Sequence, residues 1–557
     1  MSSGRMPARL ARTLVAACVV ALALAGCVGI PRGGGVNVGP PVGSADQPSG
    51  AQLPSRPPKG ATKSEILTDF MQAVVRPEND YSIARAYLTT DAAQKWDPTK
   101  SVLLREDAPE TQDDGEDGIS YTVTTKASVD RSGIYAEQST TSSQSLSFSF
   151  QKVKGQWRIS NLADGIVISR GNFAGSFSQE PLYFFDPTFH FLVPDVRWFP
   201  SDSTMPTRVV NALLAGPAPS LQDGVVVSAF PQGIQQQRAV EVRATTATVD
   251  LSAEAAQLKP IAQTQILKQL EASLFSSSIT LVAIDVGGAP LQIRAATAVD
   301  ATSIDADPLV LHGRNFGFWP KLADIGKLST QIVALNPTAV VVARNQGSAA
   351  ILARSGVYLA TSATTSAKLI DSRKDLIAPS IDPYGYIWSV PSTDAAAIRI
   401  TGPDGVAHSI PSPFTGHPKV VSLQVSHDGT RVLLYLKTAT GSRLVVLGIV
   451  RSDGNIPSSL GTPLDLPVSS AEPVDATWVD SVSIAALSDT GGKDTVVTYT
   501  IGGTGGDPST PVNAVHIVGG SGEQSLRVIT LDNQVFQLRS SGWQELGITA
   551  SVLATQQ

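Results

Sequence analysis

The sequence is poor in cysteine and in charge, and each shortage excludes a class of protein. Two cysteines in 557 residues exclude a disulfide scaffold and a cysteine-based zinc site. Charged residues make up 16% of the chain, against about 25% in typical soluble domains, and the formal net charge is −6. Nucleic-acid binding needs clustered Lys and Arg, so this charge balance argues against a nucleic-acid partner.

Motifs that carry catalysis are also missing from the sequence. None of the histidines forms an H-x-H or H-E-x-x-H pattern; they are His190, His312, His408, His417, His427 and His516. No G-x-S-x-G motif occurs, and Gly502-Gly503-Thr504-Gly505-Gly506 follows a strand but precedes no helix, which predicts a loop. The sequence leaves open whether the chain holds a pair of carboxylates for glycoside hydrolysis, because the fold sets the distance between them. The sequence favours a non-enzymatic protein without catalytic, cofactor-binding or metal-binding residues.

The N-terminus, in contrast, carries a clear targeting signal. Three arginines within residues 5–12 precede the apolar run from Thr13 to Leu24, which is typical of a secretory signal and too short for a comfortable membrane span. The run ends in Leu24-Ala25-Gly26-Cys27, which resembles the bacterial lipobox. The resemblance implies cleavage before Cys27 and a diacylglyceryl thioether on its thiol. The alternatives are a plain signal peptide and a buried core helix with an incidental cysteine.

This signal determines the fate of both cysteines and the expected location. Cys18 lies inside the apolar run and would be removed with residues 1–26, whereas Cys27 would carry the lipid. Two or three acyl chains give stable anchoring. We therefore expect a protein that is lipid-anchored to the cell membrane on its extracytoplasmic face. Residues 27–60 would follow as a tether, since Pro31 to Gly60 holds seven Pro and seven Gly in 30 residues.

The first folded unit is predicted over residues 61–178. Apolar residues recur at helical spacing from Ser64 to Val75, and Tyr81 to Trp96 indicates a second helix. Alternating stretches then predict strands, and the hairpin Phe150 to Ile159 resembles those of the nuclear-transport-factor-2-like fold. An acidic segment between Glu106 and Asp117 lacks the alternation of a calcium loop, so we interpret it as a solvated loop. Helices followed by strands indicate an α+β domain.

The second unit is predicted over residues 179–300, with a β–α–β–α–β order. Its first helix ends at Leu213-Leu214-Ala215-Gly216-Pro217, where Gly-Pro is a strong stop signal. The strand Val249-Asp250-Leu251-Ser252 precedes a helix from Ile261 to Leu274, and a final strand ends at Val286-Gly287-Gly288. These elements resemble the domain of the spore-germination protein GerM. The resemblance implies a non-catalytic domain that binds partners at the cell envelope.

The third unit, residues 301–557, repeats. Candidate strands recur about every 37–50 residues and mostly follow short turns; they begin at Ala349, Tyr386, Val432, Val482 and Leu526. Several short strands per repeat of this length are typical of β-propeller blades. Five repeats can be counted, and a sixth could combine the stretch near Leu309 with the C-terminus. We predict an all-β propeller of about five or six blades; a pair of β-sandwiches is the alternative.

The order of these parts resembles one family as a whole. Lipobox, tether, α+β domain, GerM-like domain and propeller follow one another as in the actinobacterial LpqB lipoproteins. The resemblance implies association with the extracytoplasmic domain of an MtrB-type sensor histidine kinase. Through that kinase it implies an influence on the MtrA response regulator, cell-wall metabolism and division. Cys27 is the site residue that the resemblance transfers.

Three hypotheses follow for the function. In the first, the chain is a non-enzymatic accessory protein of a membrane kinase. In the second, the propeller binds or hydrolyses cell-wall glycan. In the third, the chain is an envelope scaffold without a signalling role.

Overall fold

Helices open the described chain and strands dominate the rest. The computed structural model describes residues 56–293, 298–439, 441–511 and 513–557, with Ser139 described by its backbone alone. The part from Pro54 to Gln557 forms one compact unit. Within it, three regions with their own hydrophobic cores follow one another along the chain.

In the described residues, the N-terminal domain packs four short helices and an aromatic-rich core against one sheet. Its elements are α1 (Lys63–Ala73), α2 (Glu78–Arg85), α3 (Thr90–Lys95), β1 (Ser101–Arg105), β2 (Glu110–Asp113), β3 (Gly118–Asp130), β4 (Tyr135–Val153), β5 (Gln156–Asn161), β6 (Ile166–Ser169) and α4 (Arg170–Ser176). The strand order is β5-β4-β3-β1-β6, with β2 on the edge of β3. The α+β prediction is confirmed, and a capping box between Thr62 and Glu65 begins α1.

Two local predictions in this domain are wrong. The helix predicted from Tyr81 to Trp96 is two short helices, because Leu88 leaves the helical path to bridge Ile159 and Thr89 caps α3. The acidic segment contains a short strand, β2, whose residues are all exposed and pair with β3. Pairing of the backbone with a long neighbouring strand therefore decides the conformation there, although the side chains remain solvated.

The GerM-like domain follows, with helices against a small sheet. Its elements are β7 (Phe177–Phe185), β8 (Leu192–Pro200), α5 (Met205–Ala215), β9 (Glu241–Arg243), β10 (Thr246–Leu251), α6 (Pro260–Leu274), β11 (Leu281–Val286) and β12 (Ala289–Pro290). The sheet order is β12-β11-β10-β9, and β10 and β11 run parallel. Strands β7 and β8 form a separate ribbon. One end of that ribbon packs in the N-terminal core and the other in the GerM-like core.

Six sheets form the last region. Its elements are β13 (Leu309–His312), β14 (Asn315–Phe318), α7 (Lys327–Ala334), β15 (Ala339–Val342), β16 (Ser348–Ala353), β17 (Gly356–Thr361), β18 (Lys368–Asp371), β19 (Ser380–Ile381), β20 (Ile387–Ser389), β21 (Arg399–Thr401), β22 (Ala407–Ser409), β23 (Lys419–Val425), β24 (Arg431–Thr438), β25 (Gly441–Ser452), β26 (Ile456–Leu460), β27 (Leu464–Leu466), β28 (Glu472–Trp478), β29 (Ser483–Asp489), β30 (Asp494–Thr500), β31 (Ala514–Val518), β32 (Arg527–Thr530), β33 (Gln534–Arg539), β34 (Gly542–Thr549) and β35 (Val552–Ala554).

These sheets are the blades of a closed propeller. The innermost strands contact one another in the order β35, β15, β19, β23, β28 and β31, and β31 returns to β35. The ring-closing blade, β14-β13-β35, combines the first and last strands of the region. The predicted sixth repeat, from the stretch near Leu309 and the C-terminus, is thus confirmed. The boundaries assigned to the predicted domains stay predictions.

Candidate functional site

The predicted lipidation site lies outside the described residues. Cys27 and the preceding Leu24, Ala25 and Gly26 all precede Arg56, where the described chain begins. Among the residues described, no helix combines the length and the apolar composition that a membrane span requires. Two other features of the body, residues 54–557, are candidates for function. They are the central channel of the propeller and the junction of the three domains.

The central channel is filled largely by the protein's own side chains. Gln557 lies in it, where its amide oxygen accepts hydrogen bonds from the Ser380 hydroxyl at 2.6 Å and the Ile381 N–H at 3.2 Å. Its amide nitrogen donates to the Val425 carbonyl at 2.7 Å. The Gln557 side chain therefore links β19 and β23, the innermost strands of two neighbouring blades, from inside the ring. The remaining cavity is about 50 Å³, which is space for a very few waters.

The segment just before β13 contacts residues at one mouth of the channel. Ile304 is buried, and its Cδ1 lies beside Gly520 and His427. The next residue, Asp305, donates its N–H to the Gln556 side chain at 3.0 Å. These contacts place the segment around Ile304 against the rim of the channel.

Two histidines in the channel have pKa values shifted in opposite directions. Burial is the largest influence on each. For His516 the charge of Asp475 and the hydrogen bond between them outweigh burial, so the pKa of His516 is raised. Burial prevails for His427, with a further contribution from Arg344, and lowers its pKa to about 4. The surroundings of the two rings therefore favour the charged form of His516 and the neutral form of His427.

The partners of the histidines show whether any of them lies in a group that could bind a metal ion. In the part of the chain that is described, no group of three or more His, Cys, Asp or Glu side chains is arranged to hold a metal ion. His516 pairs with Asp475 across two blades, and His417 pairs with Asp394 on the surface. The remaining polar groups of the channel are amides and hydroxyls.

The GerM-like domain is joined to the propeller through Asp186. This carboxylate is fully buried and accepts hydrogen bonds from its own loop, including the backbone N–H groups of His190 and Phe191 at 2.7 and 2.6 Å. Across the interface it accepts a hydrogen bond from the Tyr384 hydroxyl at 3.0 Å. Burial raises the pKa of Tyr384, which keeps the phenol protonated as the donor.

Tyr384 is in turn held by the propeller. The guanidinium carbon of Arg451 lies 4.5 Å from the centre of the Tyr384 ring, a cation–π contact. The same guanidinium donates to Asp382 at 2.7 Å, and the pair is almost completely buried. Asp382 also accepts the backbone N–H of Tyr384 at 3.0 Å. The contacts with Arg451 and Asp382 therefore hold the turn that carries Tyr384 in place.

The N-terminal domain joins the same junction through strand β8. Arg197 and Asp195 form a buried ion pair with two hydrogen bonds of 2.9 and 2.7 Å. Arg197 also donates to the Ser132 carbonyl in the β3–β4 turn at 2.8 Å, while Asp195 accepts the Ala218 N–H at 2.7 Å. Every charge in the pair is therefore matched, as a buried ion pair requires.

An apolar cavity lies where the three domains meet. Its volume is about 190 Å³, and its walls include Tyr135 of the N-terminal domain, Val196 and Leu221 of the GerM-like domain, and Val446 and Ile501 of the propeller. Beside it, the Trp198 indole N–H donates to the Gly502 carbonyl at 3.0 Å. The three domains therefore pack against one another around this cavity.

Sequence reasoning did not find this junction. Tyr384 lies in the short turn between β19 and β20, and no sequence pattern there signals an interdomain contact. Asp186 and Tyr384 are 198 residues apart, so no spacing rule links them. Gly502, correctly interpreted as part of a loop, meets Trp198 by its carbonyl and leaves no room for a side chain against Val196.

Family models match most of the described chain. The model described as "Lipoprotein LpqB, N-terminal domain" matches residues 56–174, and "Sporulation and spore germination" matches residues 181–292. The model described as "Lipoprotein LpqB beta-propeller domain" matches residues 328–552. The GerM-like and propeller predictions are thereby confirmed.

Relatives are similar over nearly their full length. Lipoprotein LpqB of Cutibacterium acnes is 28% identical over 84% of this chain and 84% of its own. Lipoprotein LpqB of Thermobifida fusca is 23% identical over 91% of this chain and 92% of its own. Among solved structures, the tandem GerMN domains of the sporulation protein GerM from Bacillus subtilis are 18% identical over 26% of this chain and 59% of that one, with a TM-score of 0.18. With its domain order and these matches, the chain belongs to the LpqB family of lipoproteins.

Proposed function

We propose that this protein is a lipid-anchored accessory protein on the extracytoplasmic face of the cell membrane. It binds the extracytoplasmic domain of an MtrB-type sensor histidine kinase and modulates that kinase without catalysing a reaction. The signal through the kinase and its MtrA-type response regulator then affects cell-wall metabolism and division. Cys27 carries the lipid, after cleavage at the box formed by Leu24, Ala25 and Gly26.

The observation that carries the proposal is the filled channel of the propeller. A substrate site in the channel would need open space, whereas here Gln557 occupies the centre and Ile304 packs at one mouth beside Gly520. Recognition is thereby left to outer surfaces. The buried contacts of Asp186 and Arg197 support the same function, since they make the three domains one body that presents those surfaces together.

We assign the kinase contact to the GerM-like domain. Four large apolar side chains of this small domain are exposed to solvent by 40–60%: Val242, Ile261, Phe275 and Leu281. Exposed apolar side chains that lie close together mark protein-binding surfaces, and Ile261 lies at the opposite end of α6 from Phe275, so the candidate contact is Phe275 with Leu281. Phe275 follows α6 and Leu281 begins β11, so both belong to the same connection at one end of the domain.

The direct test is a pull-down of the body, residues 54–557, with the outer domain of the kinase. We expect binding at tens of micromolar or tighter, weakened at least fivefold by the double variant Phe275→Ser, Leu281→Ser. Leu531→Ser is the matched control, because Leu531 is 72% exposed on the propeller. Absence of binding at that concentration would refute the kinase role. Hydrolysis of purified wall polymer by the body would favour the glycan alternative instead.

A further inference from the structure

A buried arginine in the propeller has no carboxylate partner. Arg527, at the start of β32, is 7% exposed. Among the described residues its guanidinium donates one hydrogen bond, from Nη1 to the Ser525 carbonyl at 2.7 Å, and its Nε has no partner. Other buried arginines of the chain, such as Arg197 and Arg451, are paired with aspartates. An unpaired buried charge is costly, so an anion bound beside Arg527 would be stabilising.

Sheet geometry places further polar groups beside Arg527. Gln537 of β33 lies directly opposite Arg527 in the antiparallel register, and Arg539 follows two residues later, on the same face. The Gln537 amide nitrogen donates to the Gln524 carbonyl at 2.6 Å. Arg539 forms no ion pair with the described residues and is exposed. Two unpaired guanidinium groups thus share one face of the blade.

This face lines a groove between two blades. The groove has a volume of about 470 Å³, within the range of small-molecule sites. Its other wall comes from the segments around β13 and β14, with the half-buried Trp319 ring and Asp307 at the edge. Arg527 and Arg539 together outweigh Asp307, so the groove carries net positive charge. Burial lowers the pKa of Arg527; Asp307 opposes this shift and the charge of Arg539 adds to it.

We propose that this groove binds a small organic oxyanion, a carboxylate or a phosphate, whose ring or flat body packs on Trp319. The donors are Nη2 of Arg527 and the guanidinium of Arg539, which match the geometry of oxyanions. The groove is much larger than a bare ion needs, and Trp319 supplies an apolar wall for the rest of the molecule. The site is separate from the proposed kinase surface, and its occupation does not depend on that role.

The test is calorimetric titration of residues 54–557 with phenyl phosphate and benzoate, with benzamide as the uncharged analogue. We expect one saturable site for at least one of the two anions, no binding of benzamide at the same concentration, and an affinity that falls as salt is raised. Inorganic phosphate separates the two parts of the site, because a bare ion should bind more weakly than phenyl phosphate. Benzamide binding as tightly as benzoate would overturn the proposal.

Variants locate the site. Arg539→Gln should weaken binding roughly tenfold, as expected for loss of a hydrogen bond from a charged group. Arg527→Gln should abolish it, and because Arg539 is exposed, the first variant remains informative if Arg527→Gln does not fold. Arg354→Gln is the matched control, an exposed arginine in the turn between β16 and β17. Equal affinity in all three variants would refute this assignment.

Discussion

The hydroxyl of Tyr384 contributes one hydrogen bond to the contact between the GerM-like domain and the propeller. Asp186, its acceptor, keeps its hydrogen bonds within the 186–191 loop when that hydroxyl is removed. We expect Tyr384→Phe to lower the free energy of unfolding by about 1 kcal/mol, because one acceptor contact is lost while the ring contacts remain. Denaturation by urea measures the difference.

Tyr358→Phe is the control for this substitution. Tyr358 is partly buried, and its hydroxyl makes no hydrogen bond with the described residues, so removing it should leave the stability unchanged within about 0.5 kcal/mol. If Tyr384→Phe lowered the free energy of unfolding no more than Tyr358→Phe does, the contact between Tyr384 and Asp186 would not contribute to stability.

The two channel histidines should give the stability of the body a maximum in pH. The folded-state pKa of His516 lies above its usual 6.5, so its contribution is complete below pH 6.5 and is lost as the pH rises through the raised value. The pKa of His427 falls to about 4, so stability is lost as the pH drops from 6.5 towards 4. We expect His516→Asn to flatten the alkaline decline and His427→Asn the acidic one, in urea midpoints measured between pH 4 and 9.

Imidazole proton shifts in NMR spectra provide a second measurement. The His427 ring should remain neutral down to pH values near 4, whereas the His516 ring should remain charged above pH 6.5. Titration of both rings near 6.5 would contradict the environments described for the channel.

At the scale of elements, strand β25 must approach the GerM-like domain closely. A Cβ on Gly448 would lie 2.4 Å from Val225 Cγ2 and 2.8 Å from the Ser220 carbonyl oxygen. We expect Gly448→Ala to cost about 1–3 kcal/mol and to increase hydrogen exchange around residues 218–226, because the added methyl pushes the two domains apart. Gly175→Ala, in helix α4 with open space around it, should leave both measurements unchanged.

Local signals in the sequence predicted elements better than they predicted contacts between elements. The Gly216-Pro217 stop and the periodic apolar residues of α6 marked helices that the structure contains, because such signals act within a few residues. The helix assigned to residues 81–96 failed where Leu88 pairs with a distant strand. The partnership of Asp186 with Tyr384, and the lack of a partner at Arg527, depend on how domains and blades pack, so no local pattern reveals them.

At the scale of the whole molecule, the lipid anchor determines where the body can act. We expect Cys27→Ser to prevent uptake of labelled fatty acid and to block normal processing, because the thiol is the nucleophile for the lipid. Ser143→Ala, at an exposed position of β4, is a neutral substitution in the body and should be labelled like the unchanged protein. Labelled fatty acid in the Cys27→Ser protein would exclude the lipobox.

The pairing of β13 with β35 determines when the propeller can close during synthesis and folding. Ser551, just before β35, donates its hydroxyl to the Leu311 carbonyl of β13 across 240 residues of chain. During synthesis, β13 is made long before β35, so five blades emerge while the sixth lacks its inner strand. Pairing over such a distance is slow to form, because the loop-closure entropy is lost before the contact is gained. Until then the exposed edge of β13 is vulnerable to wrong pairing, and the synthesis of β35 determines when the ring can close.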